Sequence, residues 1–258
     1  MPVIQVDTAK VEVESLGTGR DLVLLHSLLA ERSAFDRVVP LLARKRRVWL
    51  VSLPGYGASS PAGTEVEHYA DRIAALLDAL ALPRATDVLG NGFGGFIAVA
   101  LAARHGERLG RLIAAPALAA FPEPAKLPLR GLAARVEKEG MAGALDIAIR
   151  RMFPEPFIAA HPDIVQERKR ALEKADPVCF RNACLALAKV DLSGALVGIG
   201  NRTLVMAGSE DATTPPALAR ELAAGIPGAR FQEIAGCGHC PQIEGPAAFV
   251  EAVEKFLS

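Results

Sequence analysis

Six short strand-like runs, each bounded by turn residues, constrain this chain more than any other feature. They are Leu22 to Leu25, Val48 to Val51, Val88-Leu89, Leu112 to Ala114, Leu204 to Met206 and Phe231 to Ile234. They do not alternate, as half-exposed strands do, so they read as strands buried on both faces, the habit of a parallel sheet. Helical patterns lie between several of them. Tyr69, Ile73, Leu76, Leu77 and Leu80 recur at helix spacing and make one apolar face. The stretch 96–103 is apolar all round, as a buried helix would be, and Gly106 stands as its expected C-cap. Strand and helix alternating in this way predict an α/β fold with crossover connections.

Ahead of these runs, Val3 to Val6 and Val11 to Glu14 flank a polar break at Asp7 to Lys10 and read as an edge hairpin. From Pro122 to Gly200 the alternation stops. Pro122, Pro124 and Pro128 open a segment of amphipathic helical patterns without a strand-like run. The expected organisation is therefore a core of 1–121 and 201–258, interrupted by a helical cap at 122–200. The sheet should be mostly parallel and flanked by helices.

Composition narrows the function classes. Lys plus Arg and Asp plus Glu number 29 each, and hydrophobic residues make up 51% of the 258. Disorder is excluded, and the basic excess of a nucleic-acid binder is missing. The one dense basic run, Arg44 to Arg47, reads as a solvated turn. The start lacks a basic, apolar signal segment, and the Ala-rich stretch from Leu112 to Phe121 is too short and Pro-interrupted to span a bilayer. Four cysteines make no disulfide framework. The expectation is a cytoplasmic protein acting on a small molecule, without nucleic-acid or membrane partners, with a homodimer open as its assembly.

Three segments fall at predicted strand ends, where open α/β sheets bind ligands. His26-Ser27-Leu28 follows an early strand. Gly90-Asn91-Gly92-Phe93-Gly94 joins a strand directly to the buried helix. Asp211 and His239 follow two late strands. With Leu53-Pro54-Gly55-Tyr56-Gly57, these segments in this order resemble the α/β-hydrolase fold family. Within it, the insertion and the stretch from Phe157 to Pro162 look most like enol-lactonases of aromatic catabolism, and less closely like carbon–carbon bond hydrolases. The resemblance implies an ester or lactone hydrolase without cofactor or metal. His239 would be the general base, Asp211 its orienting acid, and the N–H groups of Leu28 and Phe93 the oxyanion hole.

The family's elbow is Gly-x-Ser-x-Gly, and here Gly92 occupies the nucleophile position. Glycine enters the left-handed backbone of that bend without a Cβ clash, relieving roughly 1–3 kcal/mol of strain. The fold tolerates the change, but loss of the nucleophile from a serine triad costs about 10⁶ in turnover. Two origins fit: a serine replaced by design to trap a ligand, or a natural chain that uses its pocket differently. A water activated by His239 would then do the attacking. The enzyme rival is a cofactor-free lyase, dioxygenase or carbon–carbon hydrolase using His239 and Asp211 as its base, and the non-enzyme rival is a silent ligand-binding protein.

Two further departures are Ser27, where the family usually has Gly, and Ser52, where Asp is common. Ser27 caps the loop or hydrogen-bonds substrate. Asn91, Phe121, Met152, Phe153 and Phe157 are further candidates to face substrate. His26 reads as a loop buttress, and His68, His105 and His161 as structural. Cys237-Gly238-His239-Cys240 has dithiol spacing, but Pro241 follows at once, the segment trails the last strand and the pattern is not that of a thioredoxin-like unit, and no second ligand pair lies at zinc-finger spacing.

Overall fold

The computed structural model describes residues 2–258. β1 (Val3–Val6) and β2 (Ala9–Leu16) form the expected antiparallel hairpin, and β2 pairs antiparallel with β4 (Arg46–Val51). β3 (Arg20–Leu25), β5 (Thr86–Gly90), β6 (Leu109–Ala114), β7 (Arg202–Gly208) and β8 (Arg230–Ile234) run parallel to their neighbours. The result is one eight-stranded sheet in the order β1-β2-β4-β3-β5-β6-β7-β8.

Helices α1 (Val39–Leu42), α2 (Val66–Ala79) and α3 (Phe93–His105) connect the first strands. Between β6 and β7 the chain is helical: α4 (Glu123–Glu139), α5 (Leu145–Met152), α6 (Glu155–Ala160), α7 (Pro162–Leu172) and α8 (Pro177–Lys189). Then α9 (Pro216–Gly225) joins β7 to β8, and α10 (Pro241–Glu244) and α11 (Pro246–Leu257) end the chain. Among the described residues no helix is long and apolar enough to cross a membrane.

The non-alternating runs have a direct cause. Val23 and Leu25 of β3 belong to the cluster shared with Ile73 and Leu77 of α2 and Ile97 and Leu101 of α3. Their neighbours Leu22 and Leu24 face the opposite cluster, with Phe249, Val253 and Phe256 of α11. Both faces of β3 are thus covered, and burying each such Leu side chain contributes about 1.5–3 kcal/mol. β8 pairs only with β7 at the sheet edge, and its Phe231, Gln232 and Glu233 are correspondingly less buried.

Two local expectations change. Arg44 to Arg47 is a solvated turn only in its first half, where Arg44 and Lys45 are exposed. Its second half opens β4, where the buried Arg46 reaches the Leu257 carbonyl at 2.9 Å and Glu254, while Arg47 pairs with Asp21. Gly106 does cap α3, but with right-handed backbone (φ −56°), because the chain continues into a further helical turn over Gly106–Arg108.

His26 follows β3 and is fully buried. Its Nδ1 lies 2.9 Å from the Ser27 carbonyl and its Nε2 accepts the Leu53 N–H at 3.0 Å, so the neutral ring ties two loops together. Burial pushes His26 down to about 4, against the opposing pull of the Ser27 carbonyl. The unfolded chain therefore binds a proton at His26 that the folded one refuses below pH 6.5. This contribution to stability is complete above that pH and is lost as pH falls through about 4, amounting to about 3 kcal/mol. Urea unfolding across pH 7.5 to 4 should give a shallower pH slope for His26→Asn than for the parent; identical slopes would contradict the assignment.

Candidate active site

The bend between β5 and α3 brings three loops together. Asn91 N–H bonds to the Leu25 carbonyl, Gly92 N–H to the Pro116 carbonyl and Gly94 N–H to the His26 carbonyl, at 2.9 to 3.0 Å. Gly92 has φ +54° and ψ −120°, in the region that favours glycine. At Gly94 the need is proximity: a Cβ there would stand 2.2 Å from the Leu25 carbonyl oxygen. The N–H groups of Phe93, first residue of α3, and of Leu28 have no acceptor among the described residues, although both residues are buried. Buried N–H groups are almost always paired, so two orphans at one place mark a site for an acceptor brought by a ligand.

Asp211 lies beyond β7 and His239 beyond β8. The Asp211 Oδ2 is 3.0 Å from His239 Nδ1 and accepts the Thr214 hydroxyl at 2.5 Å; Oδ1 accepts the N–H groups of Thr213 and Thr214. Burial alone would raise this carboxyl, but the imidazole beside it and the Thr214 donors hold it below the usual carboxylate range. The carboxylate thus fixes the proton on Nδ1 and leaves Nε2 as an acceptor. The His239 backbone is held as firmly. Its N–H donates to the Met152 carbonyl, and Glu244 accepts the N–H groups of the flanking Gly238 and Cys240. Burial pushes Glu244 up to about 7, although both N–H groups oppose the shift.

His239, Gly92, Ser27, Leu28 and Phe93 line a cavity of about 20 Å³, with Leu29, Phe96, Thr213 and Thr214 from the core. Phe121 and, from the helical insertion, Leu129, Arg151 and Leu187 close it. The space holds about one water molecule and is far below the several hundred Å³ of an open ligand pocket. A larger groove of about 510 Å³ opens elsewhere among charged residues such as Glu12, Arg32 and Arg168 and shares no lining residue with this cavity.

Four candidates for substrate contact are placed elsewhere. Asn91 spends its amide internally: Nδ2 donates to the carbonyls of Ala115 and His239, and Oδ1 accepts from Gln242. The Met152 side chain is buried, and only its carbonyl acts, on His239. Phe153 stacks on Phe157 at 4.8 Å, and Phe157 meets His161 at a tilt with ring centroids 4.4 Å apart, all within the insertion. His105 pairs with Asp71, and His68 is likewise absent from the cavity lining. The thiols of Cys237 and Cys240 are buried; burial pushes Cys237 up to about 11 and Cys240 well above the ordinary thiol range, which removes the thiolate that disulfide exchange requires.

Thr214 and Arg151 were not among the sequence candidates. Thr214 follows the acid by three residues, a spacing that suits an Asp side chain capping its own turn. Arg151 carries no local signal, because it reaches the cavity through long-range hydrogen bonds at the end of α5, from Thr213 to the Arg151 carbonyl and from His239 to the Met152 carbonyl.

Relatives of known activity share this architecture. The chain is 32% identical to a pimeloyl-[acyl-carrier protein] methyl ester esterase of Aeromonas hydrophila, over 96% of this chain and 99% of the relative. It is 30% identical to a 2-hydroxymuconate semialdehyde hydrolase of a Pseudomonas species, over 96% and 90%. The solved enol-lactonase of Burkholderia xenovorans superposes with a TM-score of 0.92 at 28% identity, covering 99% of both chains. Residues 22–252 match the alpha/beta hydrolase family, and the chain belongs to that family.

Proposed function

We propose that this protein hydrolyses an ester or lactone bond of a small acyl substrate, with no cofactor, in a reducing, cytoplasmic setting suited to four free, buried cysteines. The observation that carries the reading is the pair of orphaned N–H groups on Leu28 and Phe93, facing the same small cavity as the imidazole of His239. Two such donors suit the oxygen of a substrate carbonyl as it becomes an oxyanion, a need that a silent binding pocket does not have. His239 takes a proton from the attacking oxygen and Asp211 steadies the imidazolium that results. Esterase and lactonase relatives support ester or lactone cleavage over the lyase, dioxygenase and carbon–carbon hydrolase readings.

Residues 122–200 act as a cap in this account. Leu129 of α4, Arg151 of α5 and Leu187 of α8 reduce the cavity to the size of one water, so substrate enters by displacing them. Phe121, Leu129 and Leu187 suit an apolar acyl chain. Arg151 suits something else. Burial pushes its guanidinium down against the opposing influence of Cys184 and Asp211, and among the described residues it has neither a carboxylate partner nor a side-chain hydrogen bond. A cation left unpaired beside an acyl site favours substrates that bring an anion, such as a half-ester of a dicarboxylic acid.

Assays on aryl esters, enol-lactones and half-esters test both statements. His239→Ala should lower kcat at least about 10²-fold, and unchanged turnover would overturn the hydrolase reading. Arg151→Met should raise KM for the half-ester about 10–100-fold, the worth of a charged hydrogen bond, while sparing a neutral ester of equal length. An equal loss on both substrates would assign Arg151 to the electrostatics of Asp211 instead.

A further inference from the structure

The hydrolase reading leaves the attacking oxygen to be found, since Gly92 has no side chain. A Cβ built on Gly92 would stand 2.4 Å from Ser27 Oγ and 2.8 Å from His239 Nε2. A serine hydroxyl at position 92 would lie one bond beyond that point, so the hydroxyl of Ser27 and the base both border the space left by the missing nucleophile. Ser27 is buried, and the only hydrogen bond of its hydroxyl among the described residues is a long one, 3.4 Å, accepted from the Leu29 N–H; the hydroxyl proton has no acceptor. His239 is engaged through Nδ1, and its Nε2 has no donor. No hydrogen bond joins the two, but a buried hydroxyl with a proton to give and a buried imidazole nitrogen free to take it both lie within 3 Å of one point, where a Gly92 Cβ would stand.

The backbone repeats the same relation on both sides of the gap. The orphan N–H of Phe93 belongs to the residue after Gly92, and that of Leu28 to the residue after Ser27. The two unpaired donors thus flank positions 27 and 92 alike, at the lining of one cavity. Relative to the family pattern of Gly after the loop histidine and Ser at the elbow, the two residues are exchanged in this chain.

We propose that Ser27 is the catalytic nucleophile of this protein, acting from the loop after β3 across the gap left at Gly92. This rests on the ester and lactone hydrolase reading above. Ser27 Oγ bonds to the substrate carbonyl carbon while its proton passes to His239 Nε2, and the carbonyl electron pair moves onto the oxygen held by Leu28 and Phe93. Collapse of that oxyanion breaks the acyl C–O bond, and the departing alkoxide takes the proton from His239. Water, deprotonated in turn by His239, cleaves the acyl–Ser27 ester to release the acid and restore the hydroxyl.

A fluorophosphonate, which loses fluoride to an activated serine, reads this directly by mass spectrometry of tryptic peptides. Peptide 21–32 contains one hydroxyl side chain, that of Ser27. The expected result is one adduct per chain on that peptide, absent from Ser27→Ala and strongly slowed in His239→Ala, together with a fall of at least about 10³-fold in the kcat of Ser27→Ala on 4-nitrophenyl acetate. An adduct on any other peptide would overturn the proposal. So would turnover by Ser27→Ala within about tenfold of the parent; if His239→Ala is then inactive, the hydrolase reading stands and water is the attacker. Intact folding of each variant is checked by its urea midpoint.

Discussion

The structure turns on how closely the bend after β5 approaches the end of β3. Gly94 donates to the His26 carbonyl at 3.0 Å, and a Cβ at Gly94 would meet the Leu25 carbonyl oxygen at 2.2 Å. Only a side-chain-free backbone permits that separation, and its consequence is functional. It sets the loop carrying Ser27 and Leu28 against the bend carrying Gly92 and Phe93, so that two buried N–H groups from different loops converge on one small cavity. His26 holds the first loop from behind, as a neutral ring bonded to Leu53.

Around this contact the charged groups are arranged so that one proton has a defined place. Asp211 meets four hydrogen-bonding partners and stays ionised despite burial, so His239 presents Nε2 to the cavity. The helical insertion contributes in two ways: the Met152 carbonyl positions the backbone of His239, and Leu129, Arg151 and Leu187 line the space in front of it. Among side chains as buried as these, fixed donors act on a developing oxyanion more strongly than they would in water.

Much of this was legible in the sequence, for physical reasons that also explain what was not. Strands covered on both faces leave apolar runs such as Leu22 to Leu25 with no polar interruption, and the order of elbow, acid and histidine follows from the strand ends that carry them. Ser27, Leu28, Gly92, Phe93, Phe121, Asp211 and His239 do gather in space. The Asn91 amide is not legible in this way, because the direction of a loop amide depends on partners distant in sequence, here Ala115, His239 and Gln242. Met152, Phe153 and Phe157 are as apolar as cavity residues, and nothing in their local pattern separates facing a ligand from packing within the insertion. Arg46 reads as a turn cation until α11 supplies Glu254 and the Leu257 carbonyl.

The central claim is that positions 27 and 92 compete for one small volume before His239, so that only one of them carries a side chain. A double-mutant cycle on unfolding free energy, with Gly92→Ser, Ser27→Gly and the pair, measures this directly. The account predicts that Gly92→Ser destabilises the parent and is tolerated once Ser27→Gly has cleared the space, giving a coupling of at least about 1 kcal/mol. Effects that add to within about 0.5 kcal/mol would mean that the two side chains do not share the site, and would contradict the account.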